Sequence, residues 1–258
     1  MERPRVLLTG FGPFPGVPVT PSGWLAETLA ERWRSAEADG GIHARIVPTE
    51  WEAAALIPRL CETLQPHVMI HFGVSEHTKN FRIEWSAHNR AAPRPDARGG
   101  LPASPVISAA GPDRLETALP AAALARHLKT SGVAAVTSHS AGHYLCNFLY
   151  YHALDWAGRQ PAPCHVLFVH IPPLSGQDGA FGEERLLHGA QEILRFVLAF
   201  VSEQAATPSF ASPLAGEADR SLIGREEGQS RTSAQLLTPL ADPPPQGGRE
   251  SSVSAKDA

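Results

Sequence analysis

Three side chains in this sequence are of the types that together open an amide bond: Cys146, His170 and Glu84. Such chemistry needs a thiolate to attack the carbonyl carbon, a histidine to share its proton and a polar residue to orient that histidine. Cys146 sits in Ser138-His139-Ser140-Ala141-Gly142-His143-Tyr144-Leu145-Cys146-Asn147. A short apolar strand, Ala134 to Thr137, precedes this stretch, and an apolar run from Phe148 to Trp156 that reads as helix follows it. A thiol there lies beside the first helical turn, where free N–H groups and the positive end of the helix dipole favour a thiolate. An unpaired cysteine is more often a buried space-filler, so the assignment depends on the rest of the chain. His170 ends the near-continuous apolar run Cys164 to His170, a pattern expected of a buried parallel strand. The carboxyl end of such a strand is where α/β folds form their crevice. Glu84 lies on the polar side of Phe81-Arg82-Ile83-Glu84-Trp85-Ser86, which alternates with period two. The expectation is a half-exposed strand that carries Glu84 into a cleft.

The elements that must position these groups can be read in order. Arg5 to Thr9 is a strand that stops at Gly10, followed by the turn-rich Gly10-Phe11-Gly12-Pro13-Phe14-Pro15-Gly16. Phe11 and Phe14, in a loop after a first strand, are candidates to line a pocket. Thr20-Pro21 predicts a helix start, with Thr20 as cap and Pro21 at the first helical position; Leu25, Leu29 and Trp33 follow at helical spacing. Ala44 to Val47 is a strand. Thr49-Glu50-Trp51-Glu52 reads as a capping box that opens a helix to about Leu64. Val68 to Phe72 is a strand ending at Gly73. Helices are expected over about 120–130 and 183–203. Strand alternating with helix predicts an α/β fold, a mostly parallel twisted sheet with helices on both faces in three layers. Residues 91–112 are rich in Pro, Gly and Arg, with one short strand expected around Val106-Ile107. So long a loop in a compact domain is uncommon and usually functional.

Composition narrows the function classes. A formal net charge of −4 and the lack of a basic cluster argue against a nucleic-acid partner. No run approaches the roughly 18 apolar residues of a membrane span, and Met1 to Arg5 has no apolar signal core, so a cytoplasmic protein is expected. Three cysteines, Cys61, Cys146 and Cys164, are too few and scattered for a disulfide framework. No H-E-x-x-H or C-x-x-C pair occurs among the 12 histidines and three cysteines, so no metal site is expected. The Gly10 to Gly16 loop lacks G-K-[ST] and does not read as a phosphate cradle. Hydrophobic periodicity stops after Ala205, which predicts two units: a catalytic domain over 1–204 and a disordered low-complexity tail over 205–258.

Four segments carry a resemblance to a known family. Thr9-Gly10-Phe11-Gly12-Pro13-Phe14 resembles the opening T-G-F-x-P-F of the pyroglutamyl peptidase I family. Ser138 to Asn147 resembles its nucleophile segment S-x-[ST]-A-G-x-[YF]-[VL]-C-N, and Phe168-Val169-His170-Ile171-Pro172 resembles its histidine strand F-[IL]-H-[VI]-P. Ile83-Glu84-x-x-Ala87-x-Asn89 resembles its glutamate segment. The order Glu, Cys, His and the gaps of 62 and 24 residues also match, over about residues 5 to 204.

The resemblance implies a phosphorylase/hydrolase-like α/β sandwich and a cytoplasmic cysteine exopeptidase. Such an enzyme removes an N-terminal pyroglutamyl (5-oxoprolyl) residue from small peptides through a thioester, without a cofactor. Cys146 would be nucleophile, His170 general base and then acid, and Glu84 the orienting residue. Arg94, ten residues after Glu84, would stand near the oxyanion with backbone N–H groups at Cys146. Phe11 and Phe14 would sandwich the lactam ring; Val74, Tyr144 and Leu145 complete the implied substrate-binding set.

The sequence departs from the pattern at Gly73-Val74-Ser75-Glu76-His77-Thr78, which replaces the common bacterial G-Q-A-G-G-R. Val74 stands where that glutamine hydrogen-bonds the lactam, although some eukaryotic members also carry G-V. Thr20-Pro21-Ser22 replaces Asn-Pro-Ser. Two other readings stay open at this point: a cysteine amidohydrolase of the same fold acting on another small capped or cyclic amide, and a non-catalytic pyroglutamyl-binding homologue. A homo-oligomer is also left open.

Overall fold

The structure is a computed structural model, and it describes residues 3–14, 20–36, 41–76, 78–174 and 182–206. From 207 onward, the tail expected to be disordered lies outside the described residues.

Among the described residues, strands β1 (Val6–Phe11), β2 (Ile42–Val47), β3 (Val68–Val74), β4 (Phe81–Glu84), β7 (Ala135–Ser138) and β8 (His165–Ile171) form one sheet in the order β2-β1-β3-β8-β4-β7. Strands β2, β1, β3 and β8 pair in parallel. Strand β4 then runs antiparallel to β8, with Arg82 opposite His170 and Glu84 opposite Phe168, and β7 runs parallel to β4. The expected mostly parallel sheet is present, with one reversal at the β8–β4 boundary. A separate two-stranded ribbon joins β5 (Ser86–His88) to β6 (Arg114–Glu116).

Helices cover both faces, as the alternation of elements predicts. Helices α1 (Pro21–Ala36), α4 (Ala121–Thr130) and α6 (Glu183–Ala206) pack Leu25, Leu29, Leu124, Leu128, Ile193 and Leu194 against Leu8, Ile70, Phe81, Ile83 and Val169. On the other face, α2 (Trp51–Ala54), α3 (Ile57–Leu64) and α5 (Leu145–Gly158) pack Ile57, Leu149, Tyr150 and Leu154 against Leu7, Met69, Val166 and Phe168. Leu7 and Leu8 point to opposite layers because successive strand side chains alternate. The central strands read as unbroken apolar runs because both their faces are covered.

Four local expectations need correction. The Thr49 capping box does not form: Glu50 occupies the cap position with no side-chain cap bond, and the Thr49 hydroxyl donates instead to Gly12 O at 2.9 Å. The single helix expected to Leu64 is two, because Pro58 lacks the N–H that would reach the carbonyl four residues back and its ring crowds that turn. No strand forms at Val106-Ile107. The alternating strand ends at Glu84: Trp85 is exposed, while Glu84 and Ser86 are buried. Glu84 is therefore not half-exposed. Strand β4 lies between β8 and β7, and α5 covers its polar side through Tyr150, whose hydroxyl donates to Glu84 O at 3.0 Å. At α1 the expected cap is present, with Gly23 N–H donating to Thr20 Oγ1 at 3.4 Å.

The close fit of β1 to α1 depends on Gly10. A Cβ there would stand 2.0 Å from Ser22 O and 2.6 Å from Gly23 N, both backbone atoms. Gly10→Ala is expected to cost about 1–3 kcal/mol or more, which lowers Tm by roughly 2–4 °C per kcal/mol for a domain of this size. Gly158→Ala is the control, since its Cβ would meet nothing within 4 Å. Equal melting temperatures for the two variants would refute the packing argument.

Candidate active site

The carboxyl ends of β1, β3 and β8 open on a cavity of about 370 Å3. It has the size of a small-ligand pocket. Its walls include Phe11 and Phe14 after β1, Val74 at the end of β3, His170 near the end of β8, and Tyr144, Leu145 and Cys146 at the start of α5. Arg94 reaches the same cavity from the long 91–112 segment. Every residue expected at the site except Glu84 lines this one space, and Glu84 lies directly behind it.

Cys146 is the second residue of α5, as the sequence predicts for a thiol at a helix start. No side chain caps this helix at Tyr144, so its first N–H groups remain free of side-chain acceptors and face the region of the thiol. The sulfur fits closely against β3. A Cβ built on Gly73 would stand 2.9 Å from Cys146 Sγ and 2.8 Å from the Phe168 ring.

Cys146 and His170 line the same cavity, and the thiol is near enough for its charge to act on the imidazole. The other side of that ring is held by Glu84, with His170 Nδ1 2.8 Å from Glu84 Oε1. Nε2 is therefore the nitrogen left for the sulfur. Glu84 is fully buried and His170 is 8% exposed. Burial by itself pulls the His170 pKa down, but the negative charge of Cys146 and the Glu84 carboxylate outweigh this and push it up to about 9. The site thus favours an imidazolium at His170. Burial pushes the thiols of Cys61 and Cys164 up to about 12.

Arg94 projects its guanidinium over the Tyr144 ring at 4.7 Å, an arrangement that holds a cation by the ring's negative face. The surrounding segment is anchored by Tyr144 and by two residues, Trp51 and Asp96, that the sequence reading did not assign to the site. Trp51 Nε1 donates to Arg94 O at 3.1 Å, and Tyr144 donates to Pro95 O at 2.7 Å. Asp96 accepts from Trp51 N at 3.1 Å, Arg98 N at 2.9 Å and Gly100 N at 2.8 Å. Asp96 was findable, because an Asp before Ala-Arg-Gly-Gly is an Asx-turn signal. Trp51 was hidden by its position in an apparent helix cap.

The two motif asparagines are ties. Asn147 accepts from His88 N at 2.8 Å and donates to His88 O and Arg90 O at 2.8 and 2.9 Å. Asn89 exchanges two bonds with Ser108, both at 2.8 Å. Among the described residues, no group of three or more His, Cys, Asp or Glu side chains could hold a metal. No helix among them is long and apolar enough to cross a membrane.

Iodoacetamide is expected to label Cys146 well before Cys61 or Cys164, because alkylation follows thiolate character and access. Gly73→Ala should slow that labelling selectively, since the added methyl meets the sulfur. Mass spectrometry that finds Cys61 or Cys164 labelled first, or Gly73→Ala labelled at the unaltered rate, would count against this geometry.

Comparisons with known proteins point to one family. A family model described as pyroglutamyl peptidase matches residues 4–180. The chain is 32% identical over 179 residues to human pyroglutamyl-peptidase 1, spanning 67% of this chain and 82% of that one. It is 35% identical over 176 residues to the pyrrolidone-carboxylate peptidase of Bacillus licheniformis, spanning 67% and 80% respectively. The crystal structure of Bacillus amyloliquefaciens pyroglutamyl peptidase I superposes with a TM-score of 0.68 at 28% identity, covering 76% of this chain and 98% of that one. With an α/β sheet of the same kind and matched residues that run from the first strand through the histidine strand, this chain belongs to the pyroglutamyl peptidase family of cysteine peptidases.

Proposed function

We propose that this protein hydrolyses the amide bond after an N-terminal pyroglutamyl residue of small peptides, by a Cys146–His170–Glu84 mechanism. The observation that carries the reading is one cavity holding Cys146 and His170, backed by the buried Glu84 and walled by Phe11 and Phe14. The flat lactam ring lies between the two phenyl rings, with the exocyclic carbonyl carbon of the scissile amide presented to Cys146 Sγ. Val74, Tyr144 and Leu145 supply the remaining contacts.

In the first step the Cys146 thiolate adds to that carbon. The oxygen takes up negative charge and is met by backbone N–H groups at the start of α5 and by Arg94. The tetrahedral species collapses, the C–N bond breaks, and the departing amine takes the proton from His170. A thioester to Cys146 remains. His170, now neutral, removes a proton from water, which attacks the thioester. Free pyroglutamate leaves, and the thiolate–imidazolium pair is restored. Glu84 holds Nδ1 throughout and stabilises the imidazolium, as the orienting carboxylate does in serine triads. No cofactor enters the cycle. The catalytic unit is assigned to residues 1–204, and the three free cysteines fit a reducing, cytoplasmic setting.

Substrate choice is tested with pyroglutamyl, prolyl and acetyl-alanyl anilides. Turnover of the pyroglutamyl anilide well above the other two is expected. Comparable turnover of all three would replace this reading with a broader cysteine amidohydrolase, and turnover of none would leave a binding protein. Cys146→Ala should abolish hydrolysis while leaving Tm unchanged.

The pH profile tests the mechanism separately. His170 is held protonated up to about pH 9, so kcat/KM should persist through neutral pH and fall as pH rises through that value. In Glu84→Gln the imidazolium loses a stabilising charge, so this alkaline limb should move to lower pH. Its kcat should fall by roughly two to four powers of ten, by the precedent of the serine-triad carboxylate. An unmoved limb with full activity would leave a Cys–His dyad.

A further inference from the structure

Glu84 Oε1 serves two partners. His170 Nδ1 stands 2.8 Å away on one side, and Arg82 Nε stands 3.3 Å away on the other. Arg82 and Glu84 share a face of β4 because they are two residues apart, and Arg82 is the residue directly opposite His170 in the β4–β8 ladder. The Arg82 guanidinium also reaches across to β7, where Nη2 donates to Ser138 Oγ at 2.6 Å. Ser138 in turn donates to Ser140 O at 3.3 Å. Ser138 ends β7 and Ser140 lies in the 139–144 connection that leads directly into the helix start bearing Cys146. The arginine side chain is about one-third exposed, at 34%, whereas the Glu84 side chain is wholly buried.

We propose that Arg82 is a positioning residue: it clamps the Glu84 carboxylate under His170 and ties it to the turn that delivers Cys146. The proposal rests on the Cys146–His170–Glu84 reading and adds to it a fourth member outside the cavity. The physical reason is the cost of burying a carboxylate. Glu84 has a second oxygen, Oε2, with no hydrogen-bond partner among the described residues, so it could relieve that cost by turning away from His170 or by taking a proton. A guanidinium beside Oε1 opposes both. It favours the ionised form and pins one oxygen in place. Its attraction to Glu84 is an ion pair without an aligned hydrogen bond at Nε, so the carboxylate's best-aligned lone pair stays with the imidazole.

The same positive charge partly offsets the field that Glu84 exerts on His170. The charged and titratable groups facing this pair are Arg82 on β4 and, from α5, Cys146 at the His170 ring and Tyr150 below Glu84. Burial keeps the Tyr150 hydroxyl neutral by raising its pKa far above the ordinary tyrosine value. Arg82 is thus the one positive charge in contact with Glu84, apart from His170 itself, among the described residues.

The test is the steady-state pH profile of Arg82→Met and Arg82→Lys on a pyroglutamyl anilide, beside Glu84→Gln. Arg82→Met should lower kcat roughly ten- to a hundredfold, by analogy with the loss of outer partners of metal-bound histidines, with KM within about twofold. Its alkaline limb should move to lower pH, the same direction as Glu84→Gln and by less, because a carboxylate that swings away from His170 withdraws its charge from the imidazolium, which outweighs relief from the solvent-screened repulsion of Arg82. Arg82→Lys keeps the charge and should recover most of kcat and return the limb toward its original position. A structural role alone would lower Tm without moving the limb. An unchanged kcat in Arg82→Met, an unmoved limb, or Arg82→Lys as impaired as Arg82→Met would each overturn the proposal. If Arg82→Met does not fold, the Lys variant decides: a kcat and limb close to the original protein support the clamp, and a kcat fall with an unmoved limb refutes it. Full activity in Glu84→Gln would instead refute the underlying triad, so the two failures are distinguishable.

Discussion

A carboxylate with no solvent exposure sits at the centre of this molecule, and the site depends on how its charge is compensated. Removing an ionised group from water costs several kcal/mol even after a protein relaxes around it. Glu84 recovers that cost through His170 at 2.8 Å and Arg82 at 3.3 Å. The compensation runs both ways. The buried carboxylate needs a positive neighbour, and it joins Cys146, the larger influence, in pushing the His170 pKa up to about 9.

The sheet reversal makes this pair possible. In a fully parallel sheet, carboxyl ends line up along one edge, and a glutamate on the neighbouring strand would reach the same edge as the histidine. Here β4 runs against β8, so Arg82 lies opposite His170 and Glu84 lies two rungs deeper, opposite Phe168. The carboxylate approaches the ring from inside the sheet, while the thiol approaches from the cavity. The imidazole thus divides a dry interior from the open pocket. Its two nitrogens face different partners because those partners come from different sides.

The long 91–112 segment shows how irregular chain can be made rigid enough to hold a wall of the pocket. It contains no strand or helix, and its backbone is pinned from outside by Asn89, Trp51 and Tyr144, while Asn147 holds residues 88 and 90 just before it. Side-chain amides are suited to this work, because one amide both donates to and accepts from a neighbouring backbone. Asn89 thus ties the far end of Arg94's segment at Ser108 and Gly111, and Asn147 fixes its near end at Arg90. Trp51 fills a second role, packing edge-on to Tyr144 at 5.3 Å beneath the stacked Arg94.

Much of this was legible in the residues alone. Periodicity, glycine stops and the Thr20-Pro21 start located the strands and most helices, because those signals depend on neighbours three or four residues away. The thiol at a helix start and the histidine at a strand end were readable for the same reason. Glu84 was identified, but its burial was not: alternation along β4 shows that Arg82 and Glu84 share a face, not whether water or α5 covers it. The split of α2 from α3 followed from Pro58 but was masked by an apparent capping box, whose threonine was drawn to Gly12, 37 residues away. Strand order, the reversed direction of β4 and the contact of Arg82 with both Glu84 and Ser138 belong to tertiary structure alone. Each depends on segments that are distant in the chain, from 56 residues between Arg82 and Ser138 to 86 between Glu84 and His170. Local sequence carries no record of which strands will pair. That choice is made by burial of both sheet faces at once, and it decides which charge stands beside the carboxylate.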